Sequence, residues 1–123
     1  MPTVRAFTNV SKSALPKDFM VNFIDALGKS LNRESKNVTL HFLCDQMLCR
    51  GPNDDPMCYV EIFNTCGHGE SEEIRQKVIG ISDFLKTALK ITDGEAVRIL
   101  FHVIPPHHVG IGTGKILTDF MTK

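Results

Sequence analysis

Apolar and polar residues alternate through TVRAFT, Thr3 to Thr8, placing Val4 and Ala6 on one face and Arg5 and Phe7 on the other. That two-residue period predicts a β-strand. The period then lengthens. Phe19, Phe23, Ile24, Leu27 and Leu31 form one apolar stripe of a helix, with Pro16 suited to its first turn and Asn32 able to end it in a left-handed conformation. In VTLHFLC, Val38, Leu40, Phe42 and Cys44 alternate with Thr39, His41 and Leu43, a second strand. RGPNDDP follows, whose Gly, Pro and Asp residues are loop chemistry.

After that loop the pattern repeats. CYVEIFN is a strand with Cys58, Val60 and Ile62 on one face. Glu70 to Lys90 reads as a longer helix, striped by Ile74, Val78, Ile81, Leu85 and Leu89. Acidic Glu70, Glu72 and Glu73 crowd its start and Lys86 and Lys90 its end, as the helix dipole favours. VRILFHVI, from Val97 to Ile104, is the fourth strand.

The expectation is an α+β fold: two tandem β-α-β units forming a four-stranded mixed sheet with both helices on one face. The chain reads as a single domain over 1–123, with a pseudo-repeat at 2–49 and 57–104 and a C-terminal tail at 105–123. Arg5, His41, Glu61, Arg98 and His102 fall on the other face of the pleat, mixed with Phe7, Leu43, Phe63 and Leu100. That surface is too polar for a core and too apolar for plain solvent. It predicts a subunit interface around a wet centre.

Charge narrows the function classes. Lys plus Arg and Asp plus Glu number 14 each, so no net field favours nucleic acid or an anionic membrane surface. An RNA-binding sheet would carry an aromatic strand motif and a basic surface, and neither is present. No apolar run suits membrane insertion, and the N-terminus lacks a signal peptide's basic start and apolar stretch. This predicts a cytoplasmic protein, unless it is exported without a cleavable signal. The triplets at Asn9 and Asn37 touch predicted strands and are discounted as glycosylation sites.

Cys44, Cys49, Cys58 and Cys66 contain no C-x-x-C pair, and three lie in or beside apolar strand-like segments. The expectation is reduced thiols packed as small hydrophobes. No metal-ligand spacing occurs, since His107 and His108 are simply adjacent. The tail segment GIGTGK is not a phosphate loop: Val109 takes the place of its first glycine and Ile116 that of its hydroxyl. It is expected to form flexible turns that let the tail cross to another subunit. No cofactor is implied.

Pro2 stands directly behind Met1, a context from which the initiator is normally removed. The mature chain would then start with a secondary amine, a base at the tip of the first strand. With Met1 attached the same nitrogen is an amide and has no useful basicity.

Met1-Pro2, Thr8-Asn9-Val10, Pro16, Phe19, Leu27, Arg33, Asp45-Gln46, Gly51, Asp55-Pro56 and Val109-Gly110 share their order and spacing with the macrophage migration inhibitory factor and D-dopachrome tautomerase family, which the chain resembles over nearly its whole length. The resemblance implies a homotrimer whose sheets face a central channel. It implies keto–enol tautomerisation of small aromatic 2-oxo acids such as phenylpyruvate, or of dopachrome-like compounds. Some members of the family signal as secreted cytokines, so a cell-surface receptor is a further implied partner.

Tautomerisation needs a base that is neutral at working pH and held against the carbon acid. Pro2 is the implied catalytic base. Arg33 matches a family lysine near the substrate carboxylate, and Thr65 a position that lines the pocket through its backbone. Arg98 and Leu100 fall where cytokine-type relatives carry a tyrosine and an asparagine, so two donors that would polarise the carbonyl are absent. Period two puts both on one face, consistent with facing a neighbour's Pro2. Arg98 either helps bind a carboxylate and keep Pro2 neutral, or pairs with Glu61 in the interface. Val109 and Ile111 are implied to line the aromatic end of the pocket. These departures leave open a second reading, a receptor-binding protein with a weak or vestigial site. A thiol oxidoreductase has no basis, because only Cys58 of the family's C-x-x-C pair is matched.

Overall fold

The computed structural model describes residues 2–120. Strands β1 (Thr3–Thr8), β2 (Thr39–Leu43), β3 (Cys58–Asn64) and β4 (Val97–Val103) form one sheet in the order β2-β1-β3-β4. Helices α1 (Phe19–Leu31) and α2 (Ser71–Ala88) provide the two crossovers. β1 pairs β2 and β3 pairs β4 in parallel, while the central strands β1 and β3 run antiparallel. The two β-α-β units thus meet back to front, as a mixed sheet. No helix among the described residues is long and apolar enough to cross a membrane.

Alternation along the strands builds the core. Val4, Ala6, Cys58, Val60 and Ile62 are buried on the helix side. Phe19, Phe23, Leu27 and Leu31 of α1 and Ile81 and Leu85 of α2 are buried against them. Ile24, Ile74 and Val78, at the margins of the two stripes, are half-buried. Where the helices meet, the Phe23 and Phe84 rings stack at 5.3 Å, and against the sheet Phe19 packs on Phe42 of β2 at 4.7 Å. Such aromatic pairs add to the area they bury.

The helix ends follow local chemistry. Asn32 closes α1 at φ 54° and ψ 50°, the expected left-handed cap. Pro16 lies ahead of α1 rather than in its first turn: its carbonyl accepts from the Phe19 N–H, and Asp18, at φ 59°, precedes the helix. Gly69, at φ 97°, turns the chain into α2, and the Glu73 carboxylate accepts from the Glu70 N–H at 3.3 Å.

Thr8 and Asn9 prove to be clamps. The Thr8 hydroxyl donates to the Met57 carbonyl at 2.7 Å, and Asn9 Nδ2 donates to the carbonyls of Asp54 and Asp55 at 3.0 Å each. Met57 N–H donates back to Asn9 Oδ1 at 3.0 Å, so this pair holds the loop that launches β3.

Two expectations need correction. Only Cys58 is packed as a small hydrophobe; Cys44 is half-buried and Cys49 and Cys66 are exposed, because they lie in loops and at strand ends. The segment expected as flexible turns is a hairpin, β5 (Gly110–Ile111) antiparallel to β6 (Lys115–Ile116), turned at Gly114 with φ 95°. The Leu117 N–H then donates to the Val109 carbonyl at 2.9 Å, which folds the tail back on its own chain.

Candidate functional site

β1 is a central strand, so its first residues are flanked on both sides. The Pro2 carbonyl accepts from the Thr39 N–H at 3.1 Å on the β2 side, and the Pro2 side chain is fully buried. Met1, on whose removal any amine at Pro2 depends, lies outside the described residues. A recess of about 200 Å³ opens at this end of the sheet. Thr3, Thr39, Phe63, Asn64, Thr65 and Ile104 line it from the sheet, and Val109, Ile111 and Leu117 from the folded-back tail. The hairpin is therefore the recess wall, and of the residues expected around a substrate, Thr65, Val109 and Ile111 are brought together there.

Among the described residues, no charged side chain lines the recess. Arg33 borders a different hollow, formed with Asp25, Lys29, Asn32, Glu34 and Ser35 at the C-terminal end of α1. Its side chain is exposed, and its guanidinium donates to the Asn32 carbonyl at 3.0 Å. The loop conformation set by the left-handed Asn32 puts Arg33 there.

Arg98 and Leu100 share one face of β4 as expected, but Arg98 is its second residue and Leu100 its middle one. The recess meets the chain beyond the end of β4, at Ile104. At the rise of an extended strand, Arg98 is roughly 20 Å from that residue. Arg98 instead lines a cleft with Leu48, Cys49, Arg50, Tyr59 and Glu95. Within one protomer neither residue reaches Pro2; only another copy could bring them to it. Arg98 does not pair with Glu61 inside the chain either, since Glu61 Oε2 lies 3.2 Å from His102 Nε2. That approach is an ion-pair distance without hydrogen-bond alignment.

This contact belongs to a polar cluster on the helix-free face. The His102 ring stacks on Phe63 at 4.6 Å, and the Arg5 guanidinium lies 5.6 Å from the Phe63 ring centre. Phe63 thus joins the cluster to the recess it also lines.

Sequence reasoning missed Asn64, and the strand pairing exposes it. Thr3 is in register with Phe63 across the antiparallel β1–β3 ladder. One further step sets Asn64 opposite Pro2. Its Oδ1 accepts from the Thr65 N–H at 2.9 Å and its Nδ2 donates to the Gly67 carbonyl at 3.2 Å, which holds the loop leaving β3. The Thr65 N–H, on a residue expected to face a ligand through its backbone, is thereby engaged locally. The single sequence signal for Asn64 was its place at the end of CYVEIFN, and only a known β1–β3 register gives that place meaning.

Cys58 is no nucleophile. Burial on the helix side pushes its thiol up from 9.0 to about 12, so it stays protonated at neutral pH.

A family model described as macrophage migration inhibitory factor (MIF) matches residues 1–118. The MIF-like protein mif-2 of Caenorhabditis elegans is 27% identical over 110 residues, covering 89% of this chain and 90% of that protein. The macrophage migration inhibitory factor of Xenopus tropicalis is 26% identical over 110 residues, covering 89% and 94%. Among solved structures, the macrophage migration inhibitory factor from Trichinella spiralis superposes with a TM-score of 0.82 at 24% identity, covering 93% of this chain and 98% of that one. The factor from Oncomelania hupensis superposes with a TM-score of 0.82 at 15% identity, covering 97% and 86%.

Proposed function

The chain belongs to the macrophage migration inhibitory factor family, and on that premise we propose that it is a tautomerase of small aromatic 2-oxo acids such as phenylpyruvate, acting as a homotrimer. Pro2 is the base once Met1 is removed. One observation supports this most directly: Pro2 is fully buried at the head of a central strand, directly behind the recess, which its chain neighbour Thr3 lines and Pro2 itself does not. Burial works against the protonated form of an amine there, which favours the neutral base at physiological pH. Val109, Ile111 and Phe63 offer apolar surface to an aromatic ring, and Thr65 borders the same space. Arg98 and Leu100 act, in this reading, from an adjacent protomer, where Arg98 supplies positive charge toward the substrate carboxylate. Arg33 reaches a carboxylate only by leaving the Asn32 carbonyl.

A second reading, a cytokine-like receptor-binding protein with a vestigial pocket, is favoured by the absence, among the described residues, of any charged side chain from the recess of a single protomer. One experiment separates the two. Phenylpyruvate tautomerisation is measured on chain whose free Pro2 is verified by intact mass, beside Pro2→Gly. The enzyme reading expects the substitution to remove most of the activity; equal rates for the two proteins would leave the receptor-binding reading.

A further inference from the structure

We propose that Asn64 is a catalytic residue of that same site, donating a hydrogen bond from Nδ2 to the substrate oxygen that gains charge as Pro2 takes a proton. The inference rests on the tautomerase reading. Forming the enolate breaks a C–H bond as an N–H bond forms at Pro2. The C–H electron pair becomes the carbon–carbon π bond, and the carbonyl π pair moves onto oxygen. The prolinium proton then passes through water to that oxygen, giving the enol with no net change in atoms or electrons. The developing oxyanion needs a donor held in place beforehand.

Among the side chains lining the recess, the polar ones are Thr3, Thr39, Asn64 and Thr65. Asn64 is distinguished by three observations. It lies opposite Pro2 when the β1–β3 register is extended one step. It is 9% exposed, so a hydrogen bond from it competes little with water. Its orientation is fixed, because the Thr65 N–H requires Oδ1 on one side and the Gly67 carbonyl requires Nδ2 on the other. An amide nitrogen carries two hydrogens. The Gly67 carbonyl takes one, and the second is available to a molecule in the recess. The Thr65 hydroxyl is already 3.6 Å from Cys66 Sγ.

The test is Asn64→Asp, which keeps the shape and the acceptor but replaces the donor with a carboxylate. It is assayed on phenylpyruvate with verified free Pro2, alongside Pro2→Gly. The expected result is a fall in kcat of about 100-fold, the effect of losing one oxyanion donor, with little change in KM. The acid limb of the kcat/KM profile should also move to higher pH, since a carboxylate opposite the amine favours prolinium. A residue that only holds the 64–67 loop would raise KM and leave kcat and the pH profile alone, and that result overturns the proposal. If Asn64→Asp fails to fold, Asn64→Ser and Asn64→Ala carry the comparison: Ser well above Ala in kcat supports a donor role, and equal values overturn it. Activity lost in Pro2→Gly but kept in the Asn64 variants removes this inference and leaves the tautomerase reading standing. Full activity in Pro2→Gly removes the reading itself.

Discussion

On the helix side of the sheet Val4, Ala6, Val60 and Ile62 are fully buried, while on the other face Arg5, His41, Arg98 and Leu100 stand exposed. The strands supply both faces equally; what differs is what covers them. The first face is completed by α1 and α2 of the same chain. The second has only its own side chains, and these arrange themselves pairwise, with Arg5 against Phe63, Phe63 against His102 and His102 beside Glu61. Leu100 remains 43% exposed among them. A face that mixes locally partnered polar side chains with an exposed Leu100 and an exposed Arg98 is suited to meeting another copy of itself, and it is unsuited to being a second core.

The comparison breaks most easily on the covered face. Phe23→Ala removes a fully buried ring that stacks on Phe84, and should cost about 3–5 kcal/mol in urea-induced unfolding. A loss below about 1 kcal/mol would mean that the covered face is not the core. On the uncovered face Leu100→Asp should leave the far-ultraviolet circular dichroism intact while sedimentation shows the proposed trimer falling to monomers. A trimer that survives the charge would place the subunit contact elsewhere.

Cys58 gives a smaller and pH-dependent effect. Its folded-state pKa is raised, so its contribution to stability is fully present below the unfolded value of 9.0 and declines as pH climbs toward about 12. At pH 10 the wild type should have lost on the order of 1 kcal/mol that Cys58→Ser does not lose, read from denaturant midpoints at pH 8 and pH 10. Parallel alkaline curves would show that the thiol ionises freely in the folded protein. The smallest effect belongs to His102→Phe. It keeps a ring against Phe63 and removes a half-exposed contact with Glu61, so monomer stability should change by less than about 1 kcal/mol. A larger loss would make the His102–Glu61 contact a structural element of the protomer rather than surface complementary to a partner.

The strands, the helices and the buried stripe of each were legible because their periods are local: two residues for a pleat and 3.6 for a helix. Asn32 as a helix end was legible for the same reason, since its left-handed cap depends on one residue's own conformational freedom. The site was less so. Thr65, Val109 and Ile111 converge on one recess, but Arg33 turns to the Asn32 carbonyl, and Arg98 and Leu100 lie on β4 short of the end where the recess opens. Matching positions to a family says which residues correspond, and it does not say which way a loop arginine points.

The sequence by itself determined a two-fold repeat of strand, helix and strand, a dry face, and a proline at the head of the first strand, because each depends on neighbours in the chain. Only the tertiary structure decided that β1 and β3 run antiparallel at the centre, that Asn64 consequently stands across from Pro2, and that the tail doubles back as a hairpin to wall the recess. Strand order and register are settled by hydrogen bonds between residues dozens of positions apart, where no local period reaches.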